Sequence, residues 1–133
     1  MQTDLLFVYG TLKRGGRNHR LLSAAEYVGP AHTESKFRLI DCGAYPALVE
    51  HGQAPLAITG ELYRISASLW PALDELEDEG VLYRRITLPI TLLTRIAGAD
   101  AATEASPFSV FTYLWLGRID RFPLVAGAEW PVK

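Results

Sequence analysis

The sequence predicts an α+β fold: a mostly antiparallel β-barrel or curled sheet with one clear helix and one weaker one. Three observations predict it. Short apolar or alternating segments recur along the chain, about six of them, each of strand length. Turns bearing glycine and proline join most of them. Only the segment after Ser66 carries a well-marked helical pattern, so a parallel βαβ fold would lack its crossover helices. A length of 133 residues suits one domain over residues 1–133, and 49% hydrophobic residues suffice for a core.

Asp4-Leu5-Leu6-Phe7-Val8-Tyr9 is a short apolar run closed by Gly10, as in a buried strand. Gly10 to Arg17 follows as a loop holding three glycines. Asn18 is placed to cap a short helix through Leu22 and Ala25. Residues 26–33 and 36–41 mix β-branched, aromatic and polar types, the composition of two half-buried strands. Gly43-Ala44-Tyr45-Pro46 is a turn before Ala47-Leu48-Val49, and Gly52 to Pro55 is a second turn. Ile58 to Ile65 reads as a strand.

The helix begins at Ser66 or Ser68, with Pro71 in its first turn, and runs to about Asp78, where Gly80 is the expected stop. Residues 82–95 alternate, Ile86, Leu88, Ile90 and Leu92 on one side and Tyr83, Arg85 and Thr87 on the other. Pro89 assigns this strand to an edge or a bulge. Residues 97–107 suggest a hairpin loop, Phe108 to Leu116 a last strand, and Gly117 to Lys133 an irregular tail.

The net charge of -2 argues against an extended nucleic-acid footprint. That figure averages three unlike stretches: residues 1–40 carry +3, 41–80 carry -7 and 81–133 carry +2. A single cysteine, Cys42, excludes an intrachain disulfide and a multi-cysteine zinc site, and reads as a small apolar residue. His19, His32 and His51 share no ligand spacing, so no metal is expected. No secretory signal and no membrane-length apolar run is visible, and a cytoplasmic location without a membrane partner follows as the expectation.

Two features point to chemistry. In the acidic run Asp74, Glu75, Glu77, Asp78, Glu79, a helical wheel on Leu69, Trp70, Ala72, Leu73 and Leu76 puts Glu77 about 70° from the apolar centre. The other acids lie about 90° to 170° away, which reads them as solvated. A carboxylate at such a boundary is either partly desolvated, with its pKa raised toward general acid/base use, or turned to water. The second feature is Tyr9-Gly10-Thr11-Leu12, a turn after a strand whose successive amides suit an anion. A tight turn without a ligand is the plainer reading. A nucleotide loop does not fit, because Gly15-Gly16-Arg17 stands where Gly-Lys-Ser/Thr is needed. Tyr9, Tyr45, Tyr83 and Tyr113 fall in or beside strands and read as core, and Trp70, Trp115 and Trp130 as packing residues.

Three segments in order carry a resemblance: Phe7 to Gly15 (FVYGTLKRG), Gly43 to Leu48 (GAYPAL), and Leu73-Asp74-Glu75-Leu76-Glu77 followed by Tyr83-Arg84-Arg85. Together they resemble the γ-glutamylcyclotransferase-like superfamily. Within it the chain is similar to the small branch that includes γ-glutamylamine cyclotransferases and the butirosin-biosynthesis cyclotransferase. The likeness covers roughly residues 5–116. It implies a small, mostly antiparallel β-barrel with a few short helices. It also implies cyclisation of a γ-glutamyl amide to 5-oxoproline with release of an amine or amino acid, without a cofactor. The alternative is a non-catalytic module that binds a small carboxylate or γ-glutamyl conjugate. By the resemblance Glu77 is the catalytic acid/base, the amides of Tyr9, Gly10, Thr11 and Leu12 hold the glutamyl head, and Tyr113 stands where an aromatic is often near the pocket. One departure stands out. The family usually follows this Glu with Gly, whereas Asp78-Glu79-Gly80 follows here, which implies a shifted helix end or selection of a cationic leaving group.

Overall fold

Strand β1 (Thr3–Val8) lies between two partners of opposite sense: antiparallel β4 (Leu56–Ser66) and parallel β6 (Phe108–Trp115). β6 pairs with β5 (Tyr83–Leu92), and β5 reaches β2 (Glu26–Asp41) at Ala31, His32 and Thr33. With β2 paired to β4, the ring β2-β4-β1-β6-β5 closes into a five-stranded barrel. β3 (Pro46–Glu50) extends β2 outside that ring. This computed structural model describes residues 2–93 and 108–131, so the hairpin loop expected over 97–107 lies outside the described residues.

Closure depends on β2. The two strands expected over 26–33 and 36–41 are one 16-residue strand, irregular where its register against β4 shifts around His32, Ser35 and Phe37. Such bulges bend a strand and interrupt its ladder only locally. The first part can therefore pair with β4 and β5, and the second with β3. Pro89 pairs only across β6, because β2 engages β5 from Ile90 onward. One side of Pro89 is thus free of a strand partner, the setting in which a strand tolerates proline.

Alternation along the strands builds two cores. Phe7, Ala31, Leu39, Ile58, Leu62, Leu88, Ile90 and Val110 fill the barrel. Leu6, Val8, Ile65, Tyr83 and Tyr113 face the other way and pack with Leu12, Leu22 and the helix residue Leu73. The tail after Gly117 is irregular, as expected, yet tied down. Asp41 N donates to Pro123 O, Val125 N to Leu39 O and Thr59 N to Ala128 O, each at 2.8 Å, and Trp130 is buried.

Helical structure differs in detail from expectation. Residues His19–Leu22 form a 3-10 turn, and Asn18 does not cap it; its Nδ2 donates instead to Thr11 Oγ1 at 2.9 Å. Ser66 accepts from Ser68 N at the 3-10 turn Ala67–Leu69, and α1 then spans Trp70–Glu77 with Pro71 in its first turn. Leu73 is its only fully buried residue, while Ala72 and Leu76 are exposed. The packed edge of α1 runs through Trp70, Leu73, Asp74 and Glu77, shifted toward the acids from the wheel's apolar centre.

The helix also stops before Gly80. Asp78 adopts φ 51, ψ 55, and Glu79 N reaches back to Asp74 O at 2.9 Å while Asp78 N reaches Glu75 O at 3.3 Å. This is a Schellman ending with Asp in the left-handed position where glycine is usual. The departure after Glu77 thus fixes the helix end directly behind that residue.

Candidate active site

A cavity of about 240 Å³ opens where β1 ends, and it joins segments far apart in sequence. The turn Tyr9-Gly10-Thr11-Leu12 and Tyr113, all singled out from sequence, line it together with Glu77. Tyr45, Tyr83, Arg17 and Asn18 also line it, and Tyr83 is both a buried core residue, as expected, and part of the cavity wall. Tyr45 and Tyr83 both stand inside the quoted motifs, which was the signal available for them.

The turn keeps its carbonyls occupied and its amides open. Gly10 O accepts from Lys13 N at 3.1 Å, Thr11 O from Asn18 N at 3.0 Å, and Leu12 O contacts His19 Nδ1 at 2.9 Å. Among the described residues, the amides of Gly10, Thr11 and Leu12 donate to no acceptor. Three successive open donors favour an anion. Glycine is required at the first of them for a steric reason. A Cβ on Gly10 would stand 2.8 Å from Cγ and Cδ of Pro46, the first residue of β3. Lys13 anchors the far side of the loop, its buried Nζ donating to Trp130 O at 2.6 Å.

Glu77 is half-buried, and burial pushes its carboxyl up to about 7. Desolvation raises a carboxyl because it penalises the charged form. No cation is within ion-pair distance of Glu77 among the described residues. Glu75, Asp78 and Glu79 are exposed and do not line the cavity. Asp74 corrects the solvated reading: it accepts from the Tyr113 hydroxyl at 2.7 Å and faces Arg85 Nη1 at 3.8 Å.

Three cavity phenols have committed their protons. Tyr9 donates to Tyr113 O at 2.7 Å, Tyr83 to Pro46 O at 2.9 Å and Tyr113 to Asp74. Burial, with the nearby Glu77 charge as a lesser cause, raises all three phenols above their ordinary value, so they stay protonated. Tyr9 Oη also accepts from Leu48 N at 3.3 Å, so the oxygens of Tyr83 and Tyr113 are the ones with lone pairs to spare near the carboxylate, a setting suited to an ammonium group. Among the described residues no group of three or more His, Cys, Asp or Glu is placed to hold a metal. No helix among them is long and apolar enough to cross a membrane.

A small closed barrel whose tyrosine-walled cavity holds one acid among the described residues defines a class, and the known proteins it resembles identify that class. Residues 6–132 match the family described as "Gamma-glutamyl cyclotransferase, AIG2-like". The chain is 32% identical over 117 residues to a human gamma-glutamylaminecyclotransferase, covering 82% of this chain and 76% of that one. It is 43% identical over 84 residues to a putative gamma-glutamylcyclotransferase of Vibrio cholerae, covering 63% and 70%. Its backbone follows the crystal structure of an AIG2-like protein from Mus musculus with a TM-score of 0.80, at 25% identity, over 98% of this chain and 90% of that one. The chain belongs to the gamma-glutamyl cyclotransferase, AIG2-like family, a family of enzymes.

Proposed function

We propose that this protein cyclises a γ-glutamyl amide to 5-oxoproline and releases an amine or amino acid, with Glu77 as the single acid/base. The observation that carries this reading is the shared cavity: Glu77, its carboxyl raised to about 7, lines the same small space as a turn with three open amides. The glutamyl head is a zwitterion, and the cavity offers a partner to each end. The amides of Gly10, Thr11 and Leu12 take the α-carboxylate. Glu77 and the phenol oxygens take the α-ammonium.

The chemistry asks little more. Attack by the α-amino nitrogen on the side-chain carbonyl closes a five-membered ring within one molecule. Orientation of this kind supplies up to roughly 7–11 kcal/mol. Two protons leave the α-nitrogen in turn, and both end on the leaving nitrogen, which departs as an ammonium while the Cδ–N bond to it breaks. Glu77 carries them one at a time, and a pKa near neutrality suits a group that must both accept and give. Asp78 and Glu79 stand outside the cavity lining, so the reading assigns them no part in choosing the leaving group.

The experiment is incubation with a panel of γ-glutamyl amino acids and amines, with 5-oxoproline measured by mass spectrometry. Formation of 5-oxoproline from at least one member supports the reading, and none from any member rejects it.

A further inference from the structure

We propose that Tyr45 is a catalytic residue whose phenol O–H holds the oxyanion formed when the γ-glutamyl carbonyl is attacked. The inference rests on the cyclotransferase reading and adds a group to it. Four tyrosines line the cavity, and three have given their protons to fixed acceptors. Tyr45 differs: among the described residues its hydroxyl has no partner, and it is half-buried against the cavity.

The backbone around it, by contrast, is held on both sides. Tyr45 O accepts from Cys42 N at 3.0 Å. Ala44 O, one residue earlier, accepts from Arg17 Nη2 at 2.7 Å, and Pro46 O, one residue later, accepts from Tyr83 at 2.9 Å. The turn opens at Gly43 with φ 93, a conformation that favours glycine, and Gly43 N donates to Asp41 Oδ1 at 2.8 Å. A held backbone carrying an O–H with no protein acceptor places a donor that is free to turn to a new one. Such a group meets developing charge without first giving up a bond to the protein.

The reaction also needs a donor in this place. In the proposed binding mode the turn amides serve the α-carboxylate, and the other three phenols have already given their protons to protein acceptors. The negative charge that develops on the attacked carbonyl oxygen must form near Glu77, and Tyr45 is close enough to Glu77 that its charge, after burial and Cys42, helps raise the phenol. Tyr45 thus remains a neutral donor at working pH. In the step itself the new N–Cδ bond moves the carbonyl π pair onto oxygen, and the Tyr45 O–H bonds that oxygen. On collapse the C=O re-forms as the bond to the leaving nitrogen breaks. Tyr45 keeps its proton throughout.

The test compares wild type with Tyr45→Phe on the γ-glutamyl amide that wild type turns over. A fall in kcat of about 100-fold with KM within about threefold is expected, because the lost bond exists only in the transition state. A tetrahedral phosphinate analogue of the substrate, titrated by calorimetry, is expected to lose affinity by a similar factor, which reads the same bond without turnover. A Tyr45→Phe enzyme with kcat within twofold of wild type, or with only KM raised, overturns the role of Tyr45 and leaves the cyclotransferase reading standing. A wild type that forms no 5-oxoproline overturns both.

Discussion

The hydroxyl of Tyr113 donates to Oδ1 of Asp74 at 2.7 Å, tying strand β6 to the helix that ends in Glu77. Arg85 completes the tie: it faces Asp74 at 3.8 Å and stacks on the Trp70 ring at 4.2 Å. Tyr113→Phe removes a hydrogen bond to a charged acceptor, expected to cost roughly 1.5–3 kcal/mol of stability. Asp74→Ala is expected to cost as much or more, because it also leaves Arg85 without its carboxylate. Urea denaturation of both variants checks the order.

Glu77 makes stability depend on pH. Its carboxyl titrates near 7 in the folded protein against 4.5 ordinarily. Between those values the folded protein holds a proton that the unfolded chain has released. The benefit is therefore complete below the lower value and is lost as pH rises toward the upper one. Glu77→Gln removes the dependence. It is expected to be more stable than wild type at pH 8 by roughly 1–3 kcal/mol, and no more stable near pH 4. Denaturation at the two pH values checks this. Activity runs the other way, with kcat/KM expected to rise through about pH 7 as the base form appears.

Asp78 occupies a left-handed position at the helix end. Asp78→Gly relieves that conformation and is expected to raise stability by up to about 1 kcal/mol. Because Asp78 does not line the cavity, turnover is expected to stay near the wild-type rate. Thermal unfolding and the 5-oxoproline assay measure the two effects.

Gly10→Ala tests the turn. A methyl at this position meets the Pro46 ring at 2.8 Å, and that ring is buried, with its carbonyl holding Tyr83. The turn must move off Pro46, carrying its amides with it. KM is expected to rise by about 10-fold or more, a misplacement effect visible in steady-state kinetics.

The sequence made the strands legible because alternation is local, and Glu77 legible because 3.6-residue periodicity is local. The wheel erred over Asp74, Ala72 and Leu76 because it centres on hydrophobicity, whereas the helix packs against what β6 offers, including a hydroxyl. Tyr45 and Tyr83 read as core because an aromatic beside a strand has the same pattern whether it faces a core or a cavity. The barrel's closure through His32 and Thr91 and the anchoring of Lys13 by Trp130 join residues 59 and 117 positions apart, and no local pattern encodes such pairings.

The role of Glu77 is decided by the kcat of Glu77→Gln for 5-oxoproline formation at pH 8, on the γ-glutamyl amide wild type turns over fastest. Loss of the single acid/base is expected to lower kcat by about 10³-fold or more in a variant that remains folded. A folded Glu77→Gln enzyme with kcat close to wild type contradicts the account.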